Sequence, residues 1–314
     1  MKTGADPLRQ PEAASEKGWL TAACIAIALF AWSSGNVVSR IAVREFAPGE
    51  LAMFRLLSSC AVMDCIALVR RTPLPAAKDL PMFLMLGACG YALYNGLINL
   101  GVRTESAASL SLLLATLPFV TAVTAWIILR EPFPLWRMIL ALLSLGGVAV
   151  IAFRDGGSIR SGSVWILLAV LCLSVYQVML RKLSERYTSF QISVYSLNFG
   201  TLLMIWNLPA LIRRLGTVGP EYILCGLWLG LMTTGAAYFC WAYAMQKAKS
   251  AAGLNMWVFL TPPLTAVFSR VFLNETLGIR EWIGGGMILT GLVLNQVLPR
   301  LFPKLSGTVQ AEDS

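Results

Sequence analysis

Histidine is absent from this chain, and charged residues make up only 13% of it. The first absence removes the side chain that most often binds metals and shuttles protons near neutral pH. The second excludes an ordinary soluble domain, in which about a quarter of the residues are charged. Cysteine occurs seven times, at 24, 60, 65, 89, 172, 225 and 240, never as a CxxC pair. That pattern predicts neither a metal site nor a disulfide framework. The thiols read as small apolar packing groups. Without histidine there is no Ser-His-Asp set, and no two carboxylates stand at a usable spacing, so no enzyme is expected. The glycine clusters Gly146–Gly147 and Gly284–Gly285–Gly286 with Gly291 lack the strand–turn–helix setting of a nucleotide loop. They read as close helix packing, and no cofactor is expected.

Apolar residues dominate instead: 57% of 314, with a mean hydropathy of +0.70. Ten apolar spans can be marked, roughly 19–39, 48–69, 80–101, 106–129, 134–153, 162–182, 189–212, 219–245, 250–273 and 280–298, each near the length a bilayer requires. Short loops join them. The polar residues 1–18 form a tail without signal-peptide character, so the first span is expected to stay uncleaved. Residues 299–314 form a second tail. A net charge of +9 could suggest nucleic acid, but its placement points to topology. Fifteen of the 25 lysines and arginines fall on the side of the termini, nine fall opposite, and Arg55 lies within a span. The positive-inside rule then places both termini in the cytoplasm of a multi-pass plasma-membrane protein, in bacterial terms the inner membrane. No nucleic acid partner is expected; lipid is.

The chain repeats itself. ATLPFVTAVTAWIILRE at 115–131 returns as FLTPPLTAVFSRVFLNE at 259–275. At that spacing Tyr94 matches Tyr238, Ser106 matches Ser250, Pro118 matches Pro262, Thr121 matches Thr265, Glu131 matches Glu275 and Gly147 matches Gly291. An earlier register pairs Ser33 with Ser174, Val37 with Val178 and Arg40 with Arg181. Residues 19–153 and 162–298 thus form two halves of five spans. Five is odd, so the second half enters the membrane inverted, an arrangement common in secondary transporters with a substrate site near the midplane. A duplicated structural membrane protein is the plain alternative. The expected fold is an all-α integral membrane protein of ten transmembrane helices in two inverted five-helix repeats.

The duplicated pattern of a proline in the fourth span, a glutamate at its end and a glycine-bearing fifth span resembles the drug/metabolite transporter superfamily. The residues are Pro118, Glu131 and Gly146–Gly147 in one half, and Pro262, Glu275, Ile283–Gly284 and Gly291 in the other. Within it the chain resembles the ten-helix, EamA-type exporters, and among those the YddG type that carries aromatic amino acids. The resemblance implies two halves around a central cavity that opens alternately to each side. It also implies an arginine in the second span, which Arg55 matches; the equivalent position in the second half is Ser196.

Charge inside a span is costly and marks function by default. Arg55 and Asp64 alone qualify, nine residues apart and on roughly opposite faces at 100° per residue. Arg55 either meets a substrate carboxylate or anchors neighbouring helices; Asp64 faces water or a loop cation, or couples transport. Span one has no acid to attract a cationic drug, and a single mid-membrane arginine does not make a phosphate site. A neutral or zwitterionic small molecule remains. Tyr91, Asn95 and Asn99 recur at i, i+4, i+8 and predict one polar face, with Tyr94 beside them. Trp32 and Asn36, Tyr238 and Trp241, and Asn255 and Trp257 complete the substrate-binding candidates; interhelical bonding by asparagine is the alternative. Pro118, Pro262 and Pro263 each remove a helical amide donor and are expected as hinges or as fixed kinks. These readings predict an exporter of aromatic or other hydrophobic amino acids, a monomer or weak homodimer, working by alternating access and possible as a facilitator driven by the substrate gradient. A multidrug exporter, a lipid-modifying enzyme and a scaffold are the rivals.

Overall fold

A computed structural model describes residues 10–130, 134–153, 159–247 and 256–301. Glu131 and Asn255 lie outside them. Among the described residues the chain is helical, apart from one bridge pairing Phe153 with Ile159. Eight helices are long and apolar enough to cross a membrane. A ninth is counted if Ser189–Leu203 and Ile205–Leu215, bent by 54°, form one span. Where the sequence predicts a span over 250–273, residues 248–255 lie outside the description, and Trp257–Leu273 remains as a shorter apolar helix.

The elements follow from the residues. Helix α1 (Gln10–Ala42) and α2 (Pro48–Val69) come first. Pro48 opens α2, where a missing amide costs nothing, and the Ala47 N–H donates to Glu50 Oε2 at 2.8 Å. The third span is composite: α3 (Leu80–Gly87), a π-helical turn Ala88–Leu93 and α4 (Tyr94–Gly101). The fourth is broken. In α5 (Ala107–Leu114) the Ser106 side chain accepts from the Ser109 N–H at 3.0 Å, and the chain restarts as α6 (Leu117–Leu129) with Pro118 in its first turn. Pro118 therefore does not bend a continuous helix; it begins a new one. Helices α7 (Leu135–Ala152), α8 (Ser161–Leu183), α9 (Ser189–Leu203) and α10 (Leu208–Leu215) come next.

The second half repeats these breaks. Helix α11 (Pro220–Leu227) runs into a π-helical turn Trp228–Ala236 and then α12 (Ala237–Lys247). A 3-10 turn, Met256–Leu260, leads into α13 (Thr261–Leu273), with Pro262 and Pro263 in its first turn. Helices α6 and α13 end alike, on left-handed residues at Arg130 and Asn274, each with φ 55°. Their positions correspond in the repeat, so the duplication extends to backbone conformation. Helix α14 (Ile279–Leu301) closes the bundle. It packs on α7 through glycine: a Cβ added to Gly284 would stand 2.5 Å from the Gly147 carbonyl oxygen. Bare backbone contact of this kind is how membrane helices gain van der Waals energy without an aqueous hydrophobic effect.

Candidate functional site

A cavity of about 1710 Å³ lies between the halves. Trp32, Asn36, Arg55, Tyr94, Tyr238 and Trp241 line it, as do Pro118 and Pro262. Five of the predicted positions stand elsewhere. Asn95 is buried and its Nδ2 donates to the Tyr91 carbonyl at 2.7 Å. Asn99 Nδ2 donates to the Pro48 carbonyl at 3.1 Å, tying α4 to α2. Tyr91 is buried beside Tyr176 at 5.7 Å between ring centroids. Trp257 is exposed and, like Pro263, does not line the cavity. Tyr91, Asn95 and Asn99 are thus all buried away from the cavity, and Tyr94, beside them, lines it.

Arg55 projects from α2 onto the second π-helical turn. Its Nε donates to Thr234 Oγ1 at 3.0 Å, and its terminal nitrogens have no hydrogen-bond partner among the described residues. The junction is close: Ser59 Oγ donates to the Gly230 carbonyl at 3.0 Å, and a Cβ on Gly230 would stand 2.8 Å from the Arg55 carbonyl oxygen. Beside it, Trp32 meets Tyr238 at 5.9 Å and Trp241 at 5.2 Å between ring centroids. The Trp32 Nε1–H is satisfied by the Thr233 carbonyl at 3.2 Å, which leaves the ring faces to line the cavity. Asn36 Nδ2 donates to Thr265 Oγ1 at 3.3 Å. Likewise across the halves, Thr121 Oγ1 donates to Gln177 Oε1 at 3.1 Å. These are repeat-related pairs. Among the described residues Asp64 pairs with neither Arg55 nor a loop cation; it accepts from Asn198 Nδ2 at 2.7 Å.

Sequence reasoning missed Tyr176, Gln177, Thr234 and Phe259. Gln177 was legible as the repeat partner of Asn36. The others lie in runs that read as apolar or as helix interior.

Among the described residues the cavity lining reaches one end of the bundle. Its lining extends to Arg70, Thr72 and Gln191, where Tyr195 Oη donates to the Pro73 carbonyl at 3.0 Å. At the other end the chain is tied shut. Arg40 Nε meets Glu275 Oε1 at 3.3 Å, and its Nη1 donates to the carbonyls of Val102 and Arg103, both at 2.6 Å. Glu275 also accepts from the Ala107 N–H at 3.2 Å and Ser269 Oγ at 2.7 Å. Nearby, the fully buried Glu105 accepts from Arg160 at 3.3 Å and Ser163 at 2.7 Å. Glu281 accepts from Ser109 at 3.1 Å and lies 3.6 Å from Arg160. Among the described residues no three metal-ligating side chains come together.

Long apolar helices around a cavity open at one end define a polytopic membrane transporter. The chain belongs to the EamA-like transporter family, of the drug/metabolite transporter superfamily: the family's model matches residues 19–153 and again 160–296. It is 29% identical over 263 residues to the uncharacterized transporter YdfC of Bacillus subtilis, covering 83% of this chain and 86% of that one. It is 26% identical over 271 residues to a probable terminal-alkyne amino-acid exporter of Streptantibioticus cattleyicolor, covering 86% and 91%. One solved crystal structure shares the fold at a TM-score of 0.58 and 18% identity, over 90% of this chain and 98% of that one.

Proposed function

We propose that the protein exports hydrophobic, above all aromatic, amino acids across the bacterial inner membrane, with both termini cytoplasmic. Its ten spans form two inverted halves, 19–153 and 162–298, that alternate access to the cavity. The observation that carries this reading is Arg55 at the cavity wall, held by one nitrogen and surrounded by Trp32, Tyr94, Tyr238 and Trp241. A guanidinium offers paired donors that match a carboxylate, and the rings suit an apolar side chain. The amino-acid exporter among the relatives supports the same class. The breaks at Pro118 and at Pro262 and Pro263 serve as hinges, and the substrate gradient drives the flux.

Counterflow of radiolabelled amino acids in proteoliposomes tests this. Exchange of phenylalanine without a pH gradient is expected, with Arg55→Ala lowering it about a hundredfold, as loss of a charge-assisted anchor of about 2–3 kcal/mol implies. Exchange only under a pH gradient overturns the facilitator. Exchange of cationic dyes in place of amino acids overturns the substrate class.

A further inference from the structure

The two halves provide an internal control for the Arg55 site. Three positions meet there: Arg55 on α2, Thr234 in the second π-helical turn and Gly35 on α1. A Cβ on Gly35 would stand 2.6 Å from Thr233 Cγ2, so α1 lies directly against that turn. The repeat places Ser196, Gly90 and Tyr176 at the matching positions on α9, the first π-helical turn and α8. There a Cβ on Gly90 would collide with the Tyr176 ring, and Ser196 Oγ is buried without a hydrogen-bond partner. Both halves keep the π-helical turn. Only the second carries a hydroxyl at the matched position, Thr234 against Gly90, and that turn is the one facing the arginine.

The Thr234 hydroxyl also donates to the Leu229 carbonyl at 3.3 Å, five residues back along the π-helical turn. Its proton is thereby turned away from Arg55 and a lone pair is turned toward it. Arg55 Nε–H takes that lone pair, which fixes the guanidinium plane and leaves both terminal nitrogens for a ligand. Thr233, one residue earlier, sends its hydroxyl to the same carbonyl, so the π geometry is what brings residue 234 into reach.

We propose that Thr234 is the positioning residue that makes Arg55 a carboxylate anchor, and that the matching site, where Ser196 replaces the arginine and Tyr176 packs on Gly90 at the cavity edge, is carboxylate-blind, so substrate binds in a single orientation. This rests on the reading of the cavity as the site for amino acids. The full-length protein in proteoliposomes tests it through KM for L-phenylalanine and through inhibition by L-phenylalaninamide, which lacks the carboxylate. Thr234→Val is expected to raise KM about tenfold, the worth of one hydrogen bond to a charged group, with the maximal rate within about twofold of wild type. Thr234→Ser restores KM, and inhibition by the amide is the same in all three proteins. An unchanged KM in Thr234→Val overturns the proposal, as does an equal loss for acid and amide, which is the signature of a merely structural residue. Wild-type protein that exchanges a different carboxylate overturns only the aromatic reading, and the same variants are then compared on that solute. Wild-type protein that exchanges no carboxylate overturns both.

Discussion

The closed and open ends of the bundle are both held by charge, but in different surroundings. At the closed end Glu105 is fully buried and takes two donors from the start of α8, and Glu275, about three-quarters buried, takes donors from α1, α5 and α13. At the open end Arg186 meets Asp79 Oδ1 at 3.3 Å while 61% exposed, and the Tyr187 hydroxyl supplies the second donor to Asp79 at 2.8 Å. A screened, exposed pair contributes under about 1 kcal/mol. A buried carboxylate stripped of one partner loses several, because the remaining charge is left unsatisfied. Asp79 itself is only 12% exposed, so the two ends differ in the arginines, 27% exposed at the closed end and 61% at the open one, and in the number of donors: the closed end is latched, and the open end is only clasped.

Glu105→Ala should break this comparison most. It removes the buried carboxylate itself, leaves Arg160 with Glu281 and frees the Ser163 hydroxyl, at a cost of about 1–3 kcal/mol for the lost charged hydrogen bonds. A lower unfolding temperature in detergent is expected, together with labelling by a membrane-impermeant thiol reagent of a cysteine placed at the buried Ala108; protection equal to that of wild type would show that the latch lies elsewhere. Pro118→Ala with Pro262→Ala sharpens it. An amide at 118 can reach the Leu114 carbonyl and fuse α5 to α6. Exchange slowed by about tenfold, a barrier rise of about 1.4 kcal/mol, marks a hinge between the ends, and an unchanged rate marks a fixed kink. Arg186→Ala should do least: a shift within about 1 kcal/mol and unaltered exchange.

Much of this was legible from composition and repeat. The prolines as interruptions, the glycine clusters as close helix packing and Arg55 as a cation within a span follow from residue type alone, since each is an exception in an apolar helix; that Arg55 lines the cavity does not. That Tyr91, Asn95 and Asn99 pack inside the bundle while Tyr94 lines the cavity was not legible, because a polar face on one helix suits a cavity or a partner helix equally, and only the neighbouring helices decide which. Tyr176 and Thr234 were hidden for a related reason. Their roles depend on what Gly90 and Arg55 bring against them from distant segments, and a single helix face does not record its neighbour.

By itself the sequence determined the membrane class, the duplication and the cation within a span, because hydropathy, internal identity and charge are properties of residues. The tertiary structure decided which end is shut, which hydroxyl holds Arg55 and which rings line the cavity. Those depend on distances of a few ångströms between helices far apart in the chain, where a glycine in one half and a tyrosine or threonine in the other settle which atoms touch.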